Sequence, residues 1–248
     1  MTTTYFMMVN NFEAVDGEPV PLTSFDFKFD NVPVYPGSYA AFNAAKETFP
    51  SVQIMNMNNT TLTKAWYVKD TADGDTYSWR NMMGGKFTAA NMPKIEVGQC
   101  FWFHDPCSTK PYLGFAGQVL TDVRFEKTFT SSYRMLGNPY PVEVAFTDIQ
   151  FSNLNETAPV WTNLDEMKAT ATEVWVPKAG SATVTKIWYV KDTADGNTYS
   201  WRNMMGGKIN ATTLAGYKFP AGQAGWFRPS TAAATDGVTV TFNSPLAQ

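Results

Sequence analysis

The feature that most constrains this chain is a long internal repeat. Thr63–Lys86 reads TKAWYVKDTADGDTYSWRNMMGGK, and Thr185–Lys208 reads TKIWYVKDTADGNTYSWRNMMGGK. The two segments differ only at Ala65/Ile187 and Asp75/Asn197, a match too long for chance. The offset of 122 residues extends upstream at lower identity, laying Asp26–Val32 on Asp148–Leu154 and Val52–Ile54 on Val174–Val176. Downstream, an offset of 124 lays Gly98–Phe103 on Gly222–Phe227, and Tyr5–Phe12 matches Tyr133–Tyr140 more loosely. A period this long is a domain rather than a solenoid repeat. The 248 residues are therefore expected to form two tandem domains, residues 1–125 and 126–248, each long enough to bury its own core.

The repeated segment reads as a β-hairpin. Trp66–Lys69 alternates large apolar and polar residues, and Thr76–Arg80 does so again with Tyr77 and Trp79 on one face. Between them, Asp70–Asp75 is turn chemistry containing an Asp-Gly step. The following Met82-Met83-Gly84-Gly85 breaks the alternation, and its paired glycines predict a bend or a close backbone approach. Further strands are expected at Tyr5–Val9, Ser24–Phe29, Val52–Met57, Gln99–His104 and Gly114–Leu120. In the second copy they are expected at Tyr133–Leu136, Glu143–Phe146, Thr172–Val176, Ala224–Arg228 and Val238–Phe242. Short helical turns fit Tyr39–Thr48 and Leu164–Thr170. Many short strands and an aromatic content of 15% predict an all-β chain, two homologous β-sandwich (jelly-roll-like) domains with rings filling the gap between sheets.

Composition removes several function classes. A net charge of −3 without a basic stripe argues against nucleic acid. No apolar run approaches the roughly 20 residues that span a bilayer. Met1–Phe12 lacks the basic start and long apolar stretch of a signal peptide, so the chain is either cytosolic or has lost its leader. Low charge also means weak self-repulsion, which suits a protein that packs against copies of itself.

Four groups of residues invite a chemical reading. Asp70, Asp73 and Asp75, repeated as Asp192 and Asp195 with Asn197, cluster oxygens around a glycine turn as a calcium site would. The competing and stronger reading is a hairpin turn whose carboxylates bond nearby backbone N–H groups. Trp66, Tyr67, Tyr77 and Trp79, repeated as Trp188, Tyr189, Tyr199 and Trp201, would form a sugar-stacking platform if exposed and core packing if not. Cys100 and Cys107 are close enough in sequence for a disulfide across the His104-Asp105-Pro106 turn, or they stay reduced. His104 is the only histidine, and its counterpart stretch Trp226–Pro229 carries none of these groups, so a structural loop is expected there. No phosphate loop, nucleophile elbow or metalloprotease motif is present, so no enzyme is expected. A β-rich hydrolase with a carboxylate pair is a distant third reading.

Met135-Leu136-Gly137-Asn138-Pro139-Tyr140-Pro141, followed much later by Ala221-Gly222-Gln223-Ala224-Gly225-Trp226-Phe227, resembles β-rich modules of large secreted and surface-displayed bacterial proteins. The first copy keeps the second step at Gly98–Trp102 and departs at the first, where it has Val9-Asn10-Asn11-Phe12. The resemblance implies export and a cell-surface or matrix setting, with no catalytic residues to carry over. Together these readings lead to an expectation of a non-enzymatic extracellular structural protein that binds copies of itself in a filament, sheath or surface layer. The uncharged, strand-prone arm Thr2–Met8 would be donated to a neighbour's sheet edge or pair within its own domain. The alternative is a carbohydrate-binding or adhesive module using the repeated Trp/Tyr hairpins. The near-identity of the hairpins admits two accounts, a shared contact or a recent copying event.

Overall fold

A computed structural model describes residues 5–13, 18–56, 61–108, 112–115, 118–119, 124–130, 132–179, 183–233 and 236–246. It is strand-rich, and its sheets are antiparallel. The chain divides into two units, Met1–Gln118 and Val119–Gln248. The strand Arg124–Phe129 pairs with Val238–Asn243, so residues 124 and 125, assigned to the first domain from sequence, belong with the second.

In the first unit a five-stranded sheet runs in the order Tyr5–Val9, Cys100–His104, Ser51–Met55, Leu62–Asp70, Thr76–Arg80. The central strands are apolar on both faces because both faces are covered. On one face Val52, Ile54, Ala65, Trp79, Phe101 and Phe103 pack against Val20, Phe25 and Ile95, which arrive on short strands, and Leu22, which opens the 3-10 turn Leu22–Ser24. On the other, Trp66 and Val68 pack against Phe42 and Phe49. Phe42 comes from the helix Tyr39–Ala45, started by Ser38, whose hydroxyl accepts the Ala41 N–H. Burying one such ring contributes about 2 kcal/mol.

The second unit repeats this order with Arg134–Gly137, Ala224–Arg228, Thr172–Pro177, Val184–Asp192 and Thr198–Asn203. Its helix Leu164–Thr170, capped by Asn163, places Met167 against Trp188 and Val190. The other face is covered by a three-stranded sheet of Arg124–Phe129, Val238–Asn243 and Ile149–Phe151. Both expected helical turns are present, and each sits on the outer face of a hairpin. Asn10 and Asn138 are buried at equivalent places and do the same work. Each backbone N–H donates to the carbonyl of a glutamine in its own unit (Gln99 or Gln223), and each side-chain amide donates to the short strand beside it, at Ile95 or Phe219. The asparagine is thus the part of the Gly-Asn-Pro-Tyr-Pro step that the first copy retains.

Two open readings are decided and one expectation is corrected. The strand Tyr5–Val9 pairs along its full length with Cys100–His104 of its own unit, as one of the two readings of this segment had it, while Thr2–Thr4 lie outside the described residues. Of the two readings of Cys100 and Cys107, the reduced one holds: both are free thiols. Cys100 opens a strand that runs on to His104, about 13 Å further, and the Cys107 thiol lies at that far end, donating to the Thr48 carbonyl at 3.2 Å. The corrected expectation is the upstream offset, which changes along the chain. The 3-10 turns Leu22–Ser24 and Phe146–Asp148 lead directly into the strands Phe25–Lys28 and Ile149–Phe151, which makes Phe27 and Phe151 counterparts at an offset of 124. Both rings meet a hairpin tryptophan edge-on, Trp79 at 5.1 Å and Trp201 at 5.8 Å. Beyond them Asn31 and Asn153 both adopt positive φ. Val34 then bridges Lys69 three residues after Asn31, but Val160 bridges Lys191 seven residues after Asn153. The additional residues form the single-turn helix Leu154–Thr157.

Core differences between the units run in opposite senses. Ala65 shares its cluster with Phe101, whereas Ile187 belongs to the unit in which the counterpart of Phe101 is Gly225. A Cβ on Gly225 would fall on the Trp175 carbonyl oxygen and stand 3.2 Å from the Phe219 ring. Gly225→Ala is expected to lower stability by about 3 kcal/mol, and Gly216→Ala, at a helix end, by much less. Urea unfolding of the two variants checks the contrast.

Candidate functional site

The repeated hairpin is built around a buried charge. Asp70 is the last residue of its strand and points to the same side as Ser78 and Arg80 on the partner strand. Its carboxylate accepts the Ser78 hydroxyl and an Arg80 guanidinium N–H at 2.5 Å, with Lys86 at 3.8 Å. The Arg80 guanidinium lies over the Tyr35 ring at 3.6 Å and donates to the Gly84 carbonyl at 2.7 Å. In the second unit Asp192, Ser200, Arg202, Lys208, Trp161 and the Gly206 carbonyl repeat every contact. Such a pair offsets its desolvation only when the remaining hydrogen-bonding positions are also filled.

The return loop is shaped by this pair. Gly84 and Gly206 adopt φ near +80°, a region that L side chains avoid. A Cβ there would also approach the Tyr35 hydroxyl to 2.8 Å, or the Trp161 ring equally closely. Asn81 accepts the N–H groups of Met83 and Gly85, and Asn203 those of Met205 and Gly207. The loop then bridges back onto the edge strand at Lys86 or Lys208. This arrangement turns the methionines outward: Met82, Met83, Met204 and Met205 are 57%, 62%, 58% and 81% exposed.

The eight aromatic residues singled out from sequence do not form one platform. Trp66 and Trp188 are buried beneath the helices, and Trp79 and Trp201 are buried on the opposite face of the sheet. The tyrosines remain near the surface. Tyr67 stacks on Tyr77 at 5.6 Å and Tyr189 on Tyr199 at 6.1 Å, both nearly parallel, with Tyr77 and Tyr199 the exposed members. The acidic turns do not converge as a calcium site either. Asp73 pairs with Lys86, Asp75 with Lys69 at 3.3 Å, and Asp195 with Lys208, while Asp70 and Asp192 serve the buried pairs. Among the described residues no three His, Cys, Asp or Glu side chains gather as metal ligands. Gly74-Asp75 and Gly196-Asn197 carry positive φ, which explains why Asp and Asn alternate at this position: both tolerate that conformation.

His104 ends a central strand rather than lying in a loop, and burial lowers its pKa, favouring the neutral ring. Burial and the Asp105 charge push the Cys107 thiol up to about 11, so it is not an activated nucleophile. Sequence reasoning missed the Arg80 and Arg202 pairs and a cluster in the second unit. There, buried Glu173 accepts the Tyr133 hydroxyl at 2.6 Å and the Trp175 indole N–H at 2.5 Å, and pairs with Arg228 at 3.3 Å. Arg228 also donates to the Lys168 and Ala171 carbonyls, which secures the end of the helix. The signal for the hairpin pairs was available: Asp, then Ser eight residues on and Arg ten residues on, all on one strand face in both copies.

Burial raises the Asp70 and Asp192 carboxyls, but the serine hydroxyls, the guanidinium groups and the lysines outweigh it and bring both below the ordinary 3.8. Their stabilisation is therefore complete above that value and is lost as pH falls through the lowered one. Asp70→Asn and Asp192→Asn should each cost about 3 kcal/mol near neutral pH, since each leaves a buried guanidinium unpaired. The double variant should also flatten the acid limb of stability below about pH 4, as read by urea unfolding across pH. Comparison with protein families, with curated proteins and with solved structures returned no match for this chain.

Proposed function

We propose that this chain is a non-enzymatic structural protein of the cell exterior, two tandem copies of one β-sandwich that self-assemble into a filament, sheath or surface layer. The observation that supports this reading is the pair of methionine loops. Packing does not require residues this exposed to be the same in both units, yet Met82-Met83 and Met204-Met205 are identical and identically held. Buried positions elsewhere in the two units differ, as Ala65/Ile187 and Phe101/Gly225 do.

Methionine is polarizable and adaptable, which suits a contact surface. Presenting it on a loop already fixed by hydrogen bonds reduces the ordering lost on association. A subunit carrying two copies of a self-associating patch is bivalent. Bivalent subunits grow into open chains unless their geometry closes a ring. The resemblance to secreted and surface-displayed modules supports an external setting, and no helix among the described residues is long and apolar enough to cross a membrane.

Light scattering across a concentration range, with negative-stain electron microscopy, tests the reading. The wild-type chain should form ordered assemblies. Met82→Ser with Met83→Ser should stop at a dimer, as should Met204→Ser with Met205→Ser, and the fourfold variant should remain monomeric. A wild-type chain that stays monomeric, or a fourfold variant that assembles as the wild type does, overturns the proposal.

A further inference from the structure

The two tyrosine ladders are identical in sequence but differ in what lies beside them. In the first unit Tyr67 and Tyr77 form one wall of a surface cleft of about 290 Å³, lined also by Trp79, Thr23, Asp26 and Lys86. In the second unit the four-residue insertion Leu154–Thr157 brings Asn155 to Tyr189, whose hydroxyl donates to the Asn155 side-chain oxygen at 2.6 Å. The first unit passes from Asn31 to Val34 with no room for such a turn. Tyr77 is correspondingly more exposed than Tyr199, 51% against 38%. At the counterpart of Asp26 the second unit has Gln150, following the offset that pairs Phe27 with Phe151.

We infer that the first-unit cleft is a binding site for one neutral sugar ring of an oligosaccharide, and that the second unit has lost this site to its insertion. The volume is at the lower limit of small-ligand pockets and matches a ring or two rather than a large cofactor. The wall carries a half-exposed aromatic ring, Tyr77, backed by Tyr67, and such a ring can take the apolar side of a pyranose. Around it are hydroxyl and charged groups able to bond sugar hydroxyls. Burial raises the Tyr67 pKa, and the neighbouring Tyr77 adds to the shift, so the phenol stays protonated and can donate. The charged groups of the rim are balanced: Asp26 lies 3.6 Å from Lys28, and Lys86 3.4 Å from Asp73 and 3.8 Å from Asp70, so neither sign is in excess for an ion. The exposed pairs hold weakly, which leaves their groups able to turn to sugar hydroxyls. This site goes beyond the proposed assembly role and does not depend on it, since the methionine loops are not part of its lining.

Calorimetric titration of the full chain with cellotetraose, maltotetraose, laminaritetraose and chitotetraose tests the inference. At least one should bind with a stoichiometry of one per chain. Tyr77→Ala, at an exposed position, should weaken that binding by about tenfold or more, while Tyr199→Ala should leave it within about twofold. Circular dichroism confirms that both variants are folded, and a Tyr77→Phe variant, which keeps the ring, should retain most of the binding. Absence of binding to all four up to about 10 mM, two equivalent sites per chain, or equal losses in the two alanine variants overturns the inference. The fourfold methionine variant should bind sugar as the wild type does, so failure of the assembly reading and failure of this one are distinguishable.

Discussion

Each hairpin depends on a carboxylate withdrawn from water. Asp70 and Asp192 end their strands inside the protein, and a charge so placed is tolerable only when every neighbour answers it. The serine two residues into the returning strand, the arginine two further on and the lysine beyond the loop all converge on it. The arginine must in turn be covered, and Tyr35 or Trp161 covers it. A second N–H of the guanidinium reaches the Gly84 or Gly206 carbonyl, which is presented only because glycine can hold positive φ beneath an aromatic ring, while Nε is buried without a partner among the described residues in both units. The outward Met-Met pair is therefore a consequence of the buried charge: once the glycine carbonyl turns in, the two residues before it turn out.

This chain of requirements accounts for much of the repeat. Asp, Ser, Arg, Gly and Lys are each needed by the pair, and the tryptophans by the two sheet faces. It turns positions 82, 83, 204 and 205 outward without requiring methionine there, and it does not account for Tyr77 and Tyr199 or for the exposed Thr71-Ala72 and Thr193-Ala194 turns. The proposed assembly role rests on that remainder. Outside the hairpin the units have diverged in compensated ways. A Ser51 and His104 strand pair in one is a Glu173 and Arg228 pair in the other, and the latter recruits Tyr133 and Trp175 to satisfy the buried carboxylate. The short insertion after Asn153 brings Asn155 to Tyr189 in one tyrosine ladder, while the other ladder borders a cleft. One duplicated element thus presents like loops in the two units and ladders with unlike surroundings.

The duplication, the β class, the hairpin with its Asp-Gly turn and both short helices were legible in the sequence because they follow from local rules. Alternation, turn residues and self-similarity act over a few positions and survive divergence. Which face of a strand meets water is not such a property. Trp66 and Trp79 look alike as members of an aromatic set, yet a helix buries one and short strands bury the other, because both sheet faces are covered. The acidic turn read as oxygen-rich, but long-range ion pairs with Lys69, Lys86 and Lys208 claim its carboxylates. The strand at Tyr5–Val9 was legible as a strand, but whether it paired in its own domain or was donated stayed open, because nothing local shows that Cys100–His104, about a hundred residues later, is its partner. By itself, then, the sequence determined the repeat and the local conformations that alternation and turn chemistry impose. The tertiary structure alone decided exposure, charge pairing and the difference between the two tyrosine ladders, since each is set by groups brought together from distant parts of the chain.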